Sequence, residues 1–445
     1  MDTHIKNLQN RDTVVPNART QPSSTRANNR HGFGWQVLCT ALPILALLFA
    51  APITLAETGL VLPPGLEISG FGTLGAMQTD TDQVEVTRDQ SQQHGATDSI
   101  SLKQDSLIGL QAYYKANESL DFVVQGVSRY GPHANYRPEL MAAFGRYAIT
   151  PNFGIRAGRI GTEFYMLADS RLVGYSYLTV RPPREVFATL PFQYLDGADF
   201  TASAPIADGI LKGRVFLGQS GEEAPAAGDF LDLSGSPLTG AYLDYQTGHW
   251  QWRLTYAQIK FKDDIPGFIE TLRTTLSQVG QMGIPKAAAA GEAISLKDTV
   301  SRFYSLGAVY DRGPLQVQGM VVEMQHDSAI YQNSLGAYVV AGYRIGQLTP
   351  YAGVSWIRSQ AKHVDSGLPD AAPLSQALQR AIARTHMDQT TFTLGTRWDF
   401  RRDMALKAQV DFVRGASDSL FLYPISDEAF DGKLNVYSVS LDFVF

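Results

Sequence analysis

The sequence predicts an all-β protein, a transmembrane antiparallel up-and-down β-barrel of about 16 strands with short turns at one end and long loops at the other. Three observations predict it. Apolar and polar residues alternate with period two through about sixteen segments of about ten residues. The links between segments alternate strictly between tight and long. The chain stops inside such a segment, LNVYSVSLDFVF (434–445), with Tyr437, Val439, Leu441, Phe443 and Phe445 on one side and Ser438, Ser440 and Asp442 on the other. A strand of that kind wants an apolar medium on one face, water on the other and a partner at each edge.

The first stretch reads as an export signal. Residues 1–30 are polar and carry Lys6, Arg11, Arg19, Arg26 and Arg30, and VLCTALPILALLFAAPITLA (37–56) follows with small residues at Thr54 and Ala56. A basic flank, a short apolar run and a small-x-small site describe a signal peptide, expected to span 1–56 and to be cleaved after Ala56, leaving 57–445 as the barrel. The apolar run from Val37 to Ala50 is 14 residues long and is flanked and broken by Pro43 and Pro52, short of the roughly 20 that a spanning helix needs. The single cysteine, Cys39, lies within this leader, so the exported chain has no disulfide to form. The leader takes five of the 37 basic and two of the 43 acidic residues with it, leaving 32 against 41, a net charge of −9 that offers nothing to nucleic acid.

The segments begin near residues 66, 104, 119, 138, 152, 195, 209, 238, 249, 302, 314, 333, 347, 389, 403 and 434. HWQWRLTYAQ (249–258) is typical, with Trp250, Trp252, Leu254 and Tyr256 opposed to Gln251, Arg253 and Thr255. Seven tight links (KANES, TPN, PIADG, QTGH, DRGP, IGQL, FRRD) alternate with eight long ones, at 78–103, 131–137, 162–194, 218–237, 261–301, 326–332, 360–388 and 415–433. A soluble sandwich also alternates, but its apolar outer face would need a covering layer that this chain does not supply. Closure into a barrel satisfies every backbone group, with the last strand meeting the first, LEISGFGTLGAMQ (66–78).

With its leader, its GFG first strand (Gly70, Phe71, Gly72), its sixteen strands and its terminal Phe445, the chain resembles the general porins of Gram-negative outer membranes. That resemblance implies outer-membrane localisation, contact with outer-membrane lipid and lipopolysaccharide, recognition of Phe445 by the barrel-insertion machinery, and a homotrimer. It also implies that the third long loop, 162–194, folds into the channel and narrows it. The loop carries Glu163, Asp169 and Glu185 beside Arg171, Arg181 and Arg184, with Pro182 and Pro183 stiffening its path. It does not match the acidic pattern of the enterobacterial porins, so only its position carries over.

With the apolar side of each strand facing lipid, the inward set holds Arg129, Arg146, Arg156, Lys212, Arg214, Arg253, Arg344, Arg397 and Lys407, opposed by Asp121, Asp199, Asp244, Asp311, Asp399, Asp411 and Asp442. Arg156, Lys212, Arg214 and Arg253 fall near mid-strand and form a basic strip on one wall, facing the acids of the third loop. They act as pore-lining charges, or they tether the loop to the wall. Arg159 shares the parity of the lipid-facing Phe153, Ile155 and Ala157, a conflict that a bulge at Gly158 or a place at the outer interface would resolve. Helical spacing appears at 266–285, in the outer loop 261–301, and at 373–384, packing over the mouth or forming a lid or a ligand-binding rim. The acidic first loop, DTDQVEVTRDQ, is solvated or holds divalent cations.

No GxSxG, HExxH, CxxC or P-loop occurs, and His94, His133, His249, His326, His363 and His386 are scattered, so neither an enzyme, a metal nor a cofactor is indicated. The expected function is a passive, water-filled channel for small hydrophilic solutes with a weak anion preference. The alternatives are a channel selective for an anionic metabolite and a non-conducting surface adhesin or receptor. The short stretch before the first strand leaves no room for the plug of an energy-coupled receptor, and no apolar lumen suited to fatty acids is expected.

Overall fold

The computed structural model describes residues 62–190, 193–226, 229–419, 422–424 and 430–445; the leader read at 1–56 lies outside them. Sixteen strands close into one antiparallel barrel in which each pairs with its neighbours along the chain and the last returns to the first. They are β1 (Leu66–Thr79), β2 (Leu107–Lys115), β3 (Leu120–Arg129), β4 (Pro138–Thr150), β5 (Phe153–Gly161), β6 (Tyr194–Ile206), β7 (Gly209–Gln219), β8 (Pro237–Thr247), β9 (Trp250–Lys260), β10 (Val300–Arg312), β11 (Leu315–His326), β12 (Ser334–Tyr343), β13 (Leu348–Ser359), β14 (Asp388–Arg401), β15 (Met404–Gly415) and β16 (Lys433–Val444). No strand starts more than three residues from where the alternation places it.

The closing seam joins β16 to β1 from Phe71 opposite Val444 to Thr79 opposite Val436. Past the strand end, the Gly70 N–H donates to the Phe445 carbonyl at 2.8 Å and the Phe445 N–H to that of Gly70 at 2.9 Å. Gly70 and Gly72 are needed here, because a Cβ would sit 2.2 Å from the Phe445 ring and 2.4 Å from that of Phe443. Around the outside, side chains such as Ile108, Leu110, Phe122, Val124, Val215 and Leu217 stand exposed. A continuous apolar band of this kind suits lipid rather than water. At the short-turn end the Trp250 ring stacks on Trp252 at 5.2 Å and lies 4.7 Å from Tyr310, as interfacial aromatics do.

The interior departs from the sequence reading. Inward positions of β10 to β13, among them Phe303, Met320, Val322, Tyr338, Val340 and Ile357, are apolar and buried. They are filled by the third loop, whose Phe164, Tyr165, Met166, Val186 and Phe187 complete one core with them. Strands that are apolar on both faces imply packing on both. The apolar interior that the sequence reading did not anticipate is therefore present, and protein occupies it.

The same core continues into a cap of helices over the long-loop end. Counting the short α1 (Arg184–Phe187) within the third loop, these are α2 (Phe268–Gln281), α3 (Pro285–Ala293) and α4 (Pro373–Ala383). Ile269, Leu272, Leu276, Ala287, Ala290, Leu378 and Ile382 bury their side chains in it. Proline opens α3 and α4, where its missing N–H costs nothing. Asp264 staples the cap by accepting from the Leu296 and Lys297 N–H groups at 2.6 and 3.0 Å and from Ser295 at 3.0 Å. Where α2 meets α3, a Cβ on Gly280 would lie 2.4 Å from that of Ala288. Gly280→Val is expected to part the two helices at a cost of about 1–3 kcal/mol. Limited trypsin digestion should then cut at Lys286 or Lys297 well before it cuts wild type, while the barrel keeps its heat-modifiable gel mobility.

Candidate functional site

The third loop enters the barrel at the end of β5, where Thr162 donates to the Gln193 carbonyl through both its N–H (2.8 Å) and its hydroxyl (3.0 Å), closing the loop at its base. Glu163 then meets the wall. It accepts from Arg156 at 2.9 Å, from Arg214 at 2.5 Å and from the Tyr242 hydroxyl. Asp199 takes the other side of Arg156 at 2.5 and 2.9 Å. Arg253 pairs with Asp244 at 2.6 and 2.8 Å and donates onward to the Glu163 and Tyr165 carbonyls at 3.1 and 2.8 Å. Burial alone would raise the Glu163 pKa, but the guanidiniums of Arg156 and Arg214 outweigh it and hold the carboxyl at about 2. That stabilisation is complete above the ordinary glutamate range and is lost only as the pH falls towards 2.

The loop next crosses to the closing seam. Its turn at Gly174 lies against β1 and β16, with room for no Cβ, since one would fall 2.1 Å from an Asp442 carboxyl oxygen. Lys407, fully buried, donates to the Gly174 and Thr179 carbonyls at 2.7 and 3.0 Å and pairs with Asp442 at 3.0 Å. Thr73 donates to the same carboxylate at 2.5 Å, and Arg397 holds the Tyr175 and Tyr177 carbonyls at 2.6 and 2.9 Å. Further along, Arg181 bridges Asp105 of the first loop (2.7 and 3.0 Å), Asp411 (3.1 Å) and the Ser438 hydroxyl (2.5 Å). Glu185 accepts from Ser355 at 2.6 Å, Gln389 at 2.5 Å and the Thr391 hydroxyl. Arg184, also buried, reaches Thr87 at 3.4 Å.

The strip read from the sequence is thus brought together with a loop acid, but it does not face open water. Arg156, Arg214 and Arg253 each pair with a carboxylate or hold loop carbonyls, and of the four only Lys212 has no ion pair among the described residues. Arg146, Arg344 and Arg397 pair with Asp121, Asp311 and Asp399. Arg159 sits where its parity puts it, on the outward face beside the long loops, paired with Asp196 at 2.8 Å and lying 3.8 Å over the Tyr194 ring. Its neighbour Gly158 takes a positive φ, but the β5 pairing shows no register shift there. Of the first loop's acids, Asp89 lies 3.6 Å from Arg129 and Asp105 pairs with Arg181, whereas Asp80, Asp82 and Asp98 stand exposed. Among the described residues no group of acids or histidines that could hold a metal ion comes together.

A cavity of about 220 Å³ opens between the loop and the wall of β1 to β5. Phe71, Gln111, Gln125, Met141 and Phe144 line its wall side, and Thr162, Asp169, Arg171, Leu172 and Gln193 its loop side. Sequence reasoning found Asp169 and Arg171 but missed Gln111, Gln125, Gln193, Tyr242 and Asp105. The two wall glutamines were readable from strand parity. Asp105 and Tyr242 were not, because only the folded chain brings them to Arg181 and Glu163.

No family description matches the chain, and no curated protein matches it. Solved structures do. An anion-selective porin from Comamonas acidovorans aligns over 85% of this chain and 99% of its own at 11% identity, with a TM-score of 0.50. The outer membrane channel DcaP of Acinetobacter baumannii aligns over 85% and 97% at 9% identity (TM-score 0.49), and Salmonella typhi OmpF over 85% and 97% at 12% (0.48). At such identities the likeness is one of fold, the closed sixteen-strand barrel.

Two outcomes follow from the loop's anchorage. Arg181→Ala leaves Asp411 buried without its cation and Asp105 with only Arg88 at 3.9 Å, expected to cost about 3–5 kcal/mol. The temperature at which folded gel mobility is lost should fall, with Arg181→Lys recovering part of the difference. Glu222, outside the strands, accepts from the Gln193 and Tyr194 N–H groups at 2.5 and 3.2 Å, and burial pushes its pKa up to about 7. A raised carboxyl pKa means that stability is greatest in acid and declines as the pH rises from the ordinary glutamate range through 7. Hydrogen exchange at Gln193 and Tyr194, corrected for intrinsic rates, should therefore show weaker protection at pH 8 than at pH 5, and Glu222→Gln should remove the difference.

Proposed function

We propose that the protein is an outer-membrane channel for passive diffusion of small hydrophilic solutes, with the path displaced to one side of the barrel. The observation that supports it most is the third loop pinned across the lumen with a cavity of mixed polar and apolar lining left between it and β1 to β5. The apolar outer band, the aromatic ring at the short-turn end and the closed strand seam support placement in a lipid bilayer. Outer-membrane localisation, with lipopolysaccharide around the long loops and a homotrimeric assembly, belongs to the same reading. The loop 162–194 acts as the constriction. Since Arg156, Arg214 and Arg253 are matched by acids, selectivity between small ions is weak, with Lys212 supplying a slight anion preference.

A second reading, a non-conducting barrel acting at the cell surface, draws on the half of the lumen that the loop and the cap fill. Single-channel recording in a planar bilayer, with reversal potential under a salt gradient, separates the two. Stable small steps with a reversal potential only slightly to the anion side are the expected result. Folded, heat-modifiable protein that gives no steps would reject the channel.

A further inference from the structure

The charged side chains inside this barrel are almost all spoken for. Arg156, Arg181, Arg214, Arg253 and Lys407 each meet a carboxylate. Besides Lys212 on β7, the exceptions stand at the cavity beside β1 to β5: among the described residues the side chains of Asp169 and Arg171 line it with neither a hydrogen bond nor an ion pair, to each other or to anything else. They stand two positions apart on the same loop. The side-chain carbonyl of Gln193 lines the same space, buried and without a partner, and Gln125 donates to Gln111 at 3.0 Å across the wall side.

We propose that this cavity is a weak binding step for small zwitterions of the α-amino acid type, with Arg171 taking the carboxylate and Asp169, aided by the Gln193 carbonyl, taking the ammonium. A guanidinium offers a carboxylate two parallel N–H donors, and a free carboxylate and an amide carbonyl suit the three donors of an ammonium. A singly charged solute leaves one of the two protein charges unmatched, and a neutral one leaves both. The volume, about seven waters at roughly 30 Å³ each, is enough for a small amino acid with a little water. Asp169 is exposed, so the attraction is screened and the solute can leave, as conduction requires. The physiological sense of this step rests on the channel reading, but the site itself can be tested without it.

The test uses the full folded protein and three probes of similar size: L-serine, lactate and ethanolamine. Saturation-transfer NMR in detergent reads binding, and current interruptions in a planar bilayer read residence in the path. Serine is expected to bind and to interrupt the current saturably, with lactate and ethanolamine about tenfold weaker or more, the loss of one charge-assisted contact. Arg171→Gln should weaken serine and shift the preference to ethanolamine; Asp169→Asn should weaken serine and shift it to lactate. Such reciprocal shifts would not arise from a merely structural role, and they also report that each variant is folded. Lactate equal to serine in wild type, or variants that weaken all three probes alike, would overturn the proposal. Current steps with neither binding nor interruption overturn the site and leave the channel standing, whereas serine binding without steps leaves the site and removes the channel.

Discussion

The pairing of β16 with β1 is the constraint on which the rest depends. In lipid an unpaired strand edge leaves a row of N–H and C=O groups with no partner, and only closure removes it. The same seam is also where the third loop docks at its far end. Asp442 of β16, Thr73 of β1 and Lys407 of β15 form the knot that receives the Gly174 turn. Closure of the wall and the anchorage of the loop's far end therefore rest on the same residues.

Along that route the loop is held by charges with few freedoms. Arg156 and Arg214 close on Glu163, Arg253 on backbone carbonyls, and Arg181 on two acids from different parts of the chain. Buried ion pairs add little net stability over apolar packing of the same volume, because each charge has left water. Their effect here is to make one path much better than its neighbours, since shifting the loop by a residue would strand several charges at once. Apolar filling does the complementary work on the other side, where Phe164 and Tyr165 pack against Phe216 and Phe303 at 5.2 and 5.3 Å.

The barrel was legible because its signals are local. Period two and tight turns can be read within a dozen residues, which is why β7, starting at Gly209, needed no tertiary information. The meeting of Glu163 with Arg156 and Arg214 was half legible, since strand parity gives the inward face but not what reaches it. The filled half was signalled by MVVEM in β11 and AYVVAG in β12, apolar on both faces, a pattern read for its lipid side alone. Helix α3 escaped because KAAAAGEA has no apolar stripe, only small residues that let it lie close against α2. Asp105 at Arg181 had no sequence signal, because the contact joins residues 76 apart through the lumen.

The division of the interior also decides where selectivity can reside. On the filled side, the core runs without a break from β10–β13 through the loop to the cap helices. Lifting the cap would strip apolar surface from the loop beneath, so the cap braces the loop and is poorly suited to be a lid. Apart from Lys212, the charges of the wall strip are consumed in anchorage, and a charge already satisfied by a partner at 2.5–3.0 Å has little left to offer a passing solute. Between the anchor at Glu163 and the turn at Gly174 lies the stretch 167–173, the part of the loop whose charged side chains are not tied to the wall. In the channel we propose, discrimination among solutes beyond the slight preference of Lys212 falls to this short segment and the glutamines opposite it, while the rest of the loop fixes where that segment stands.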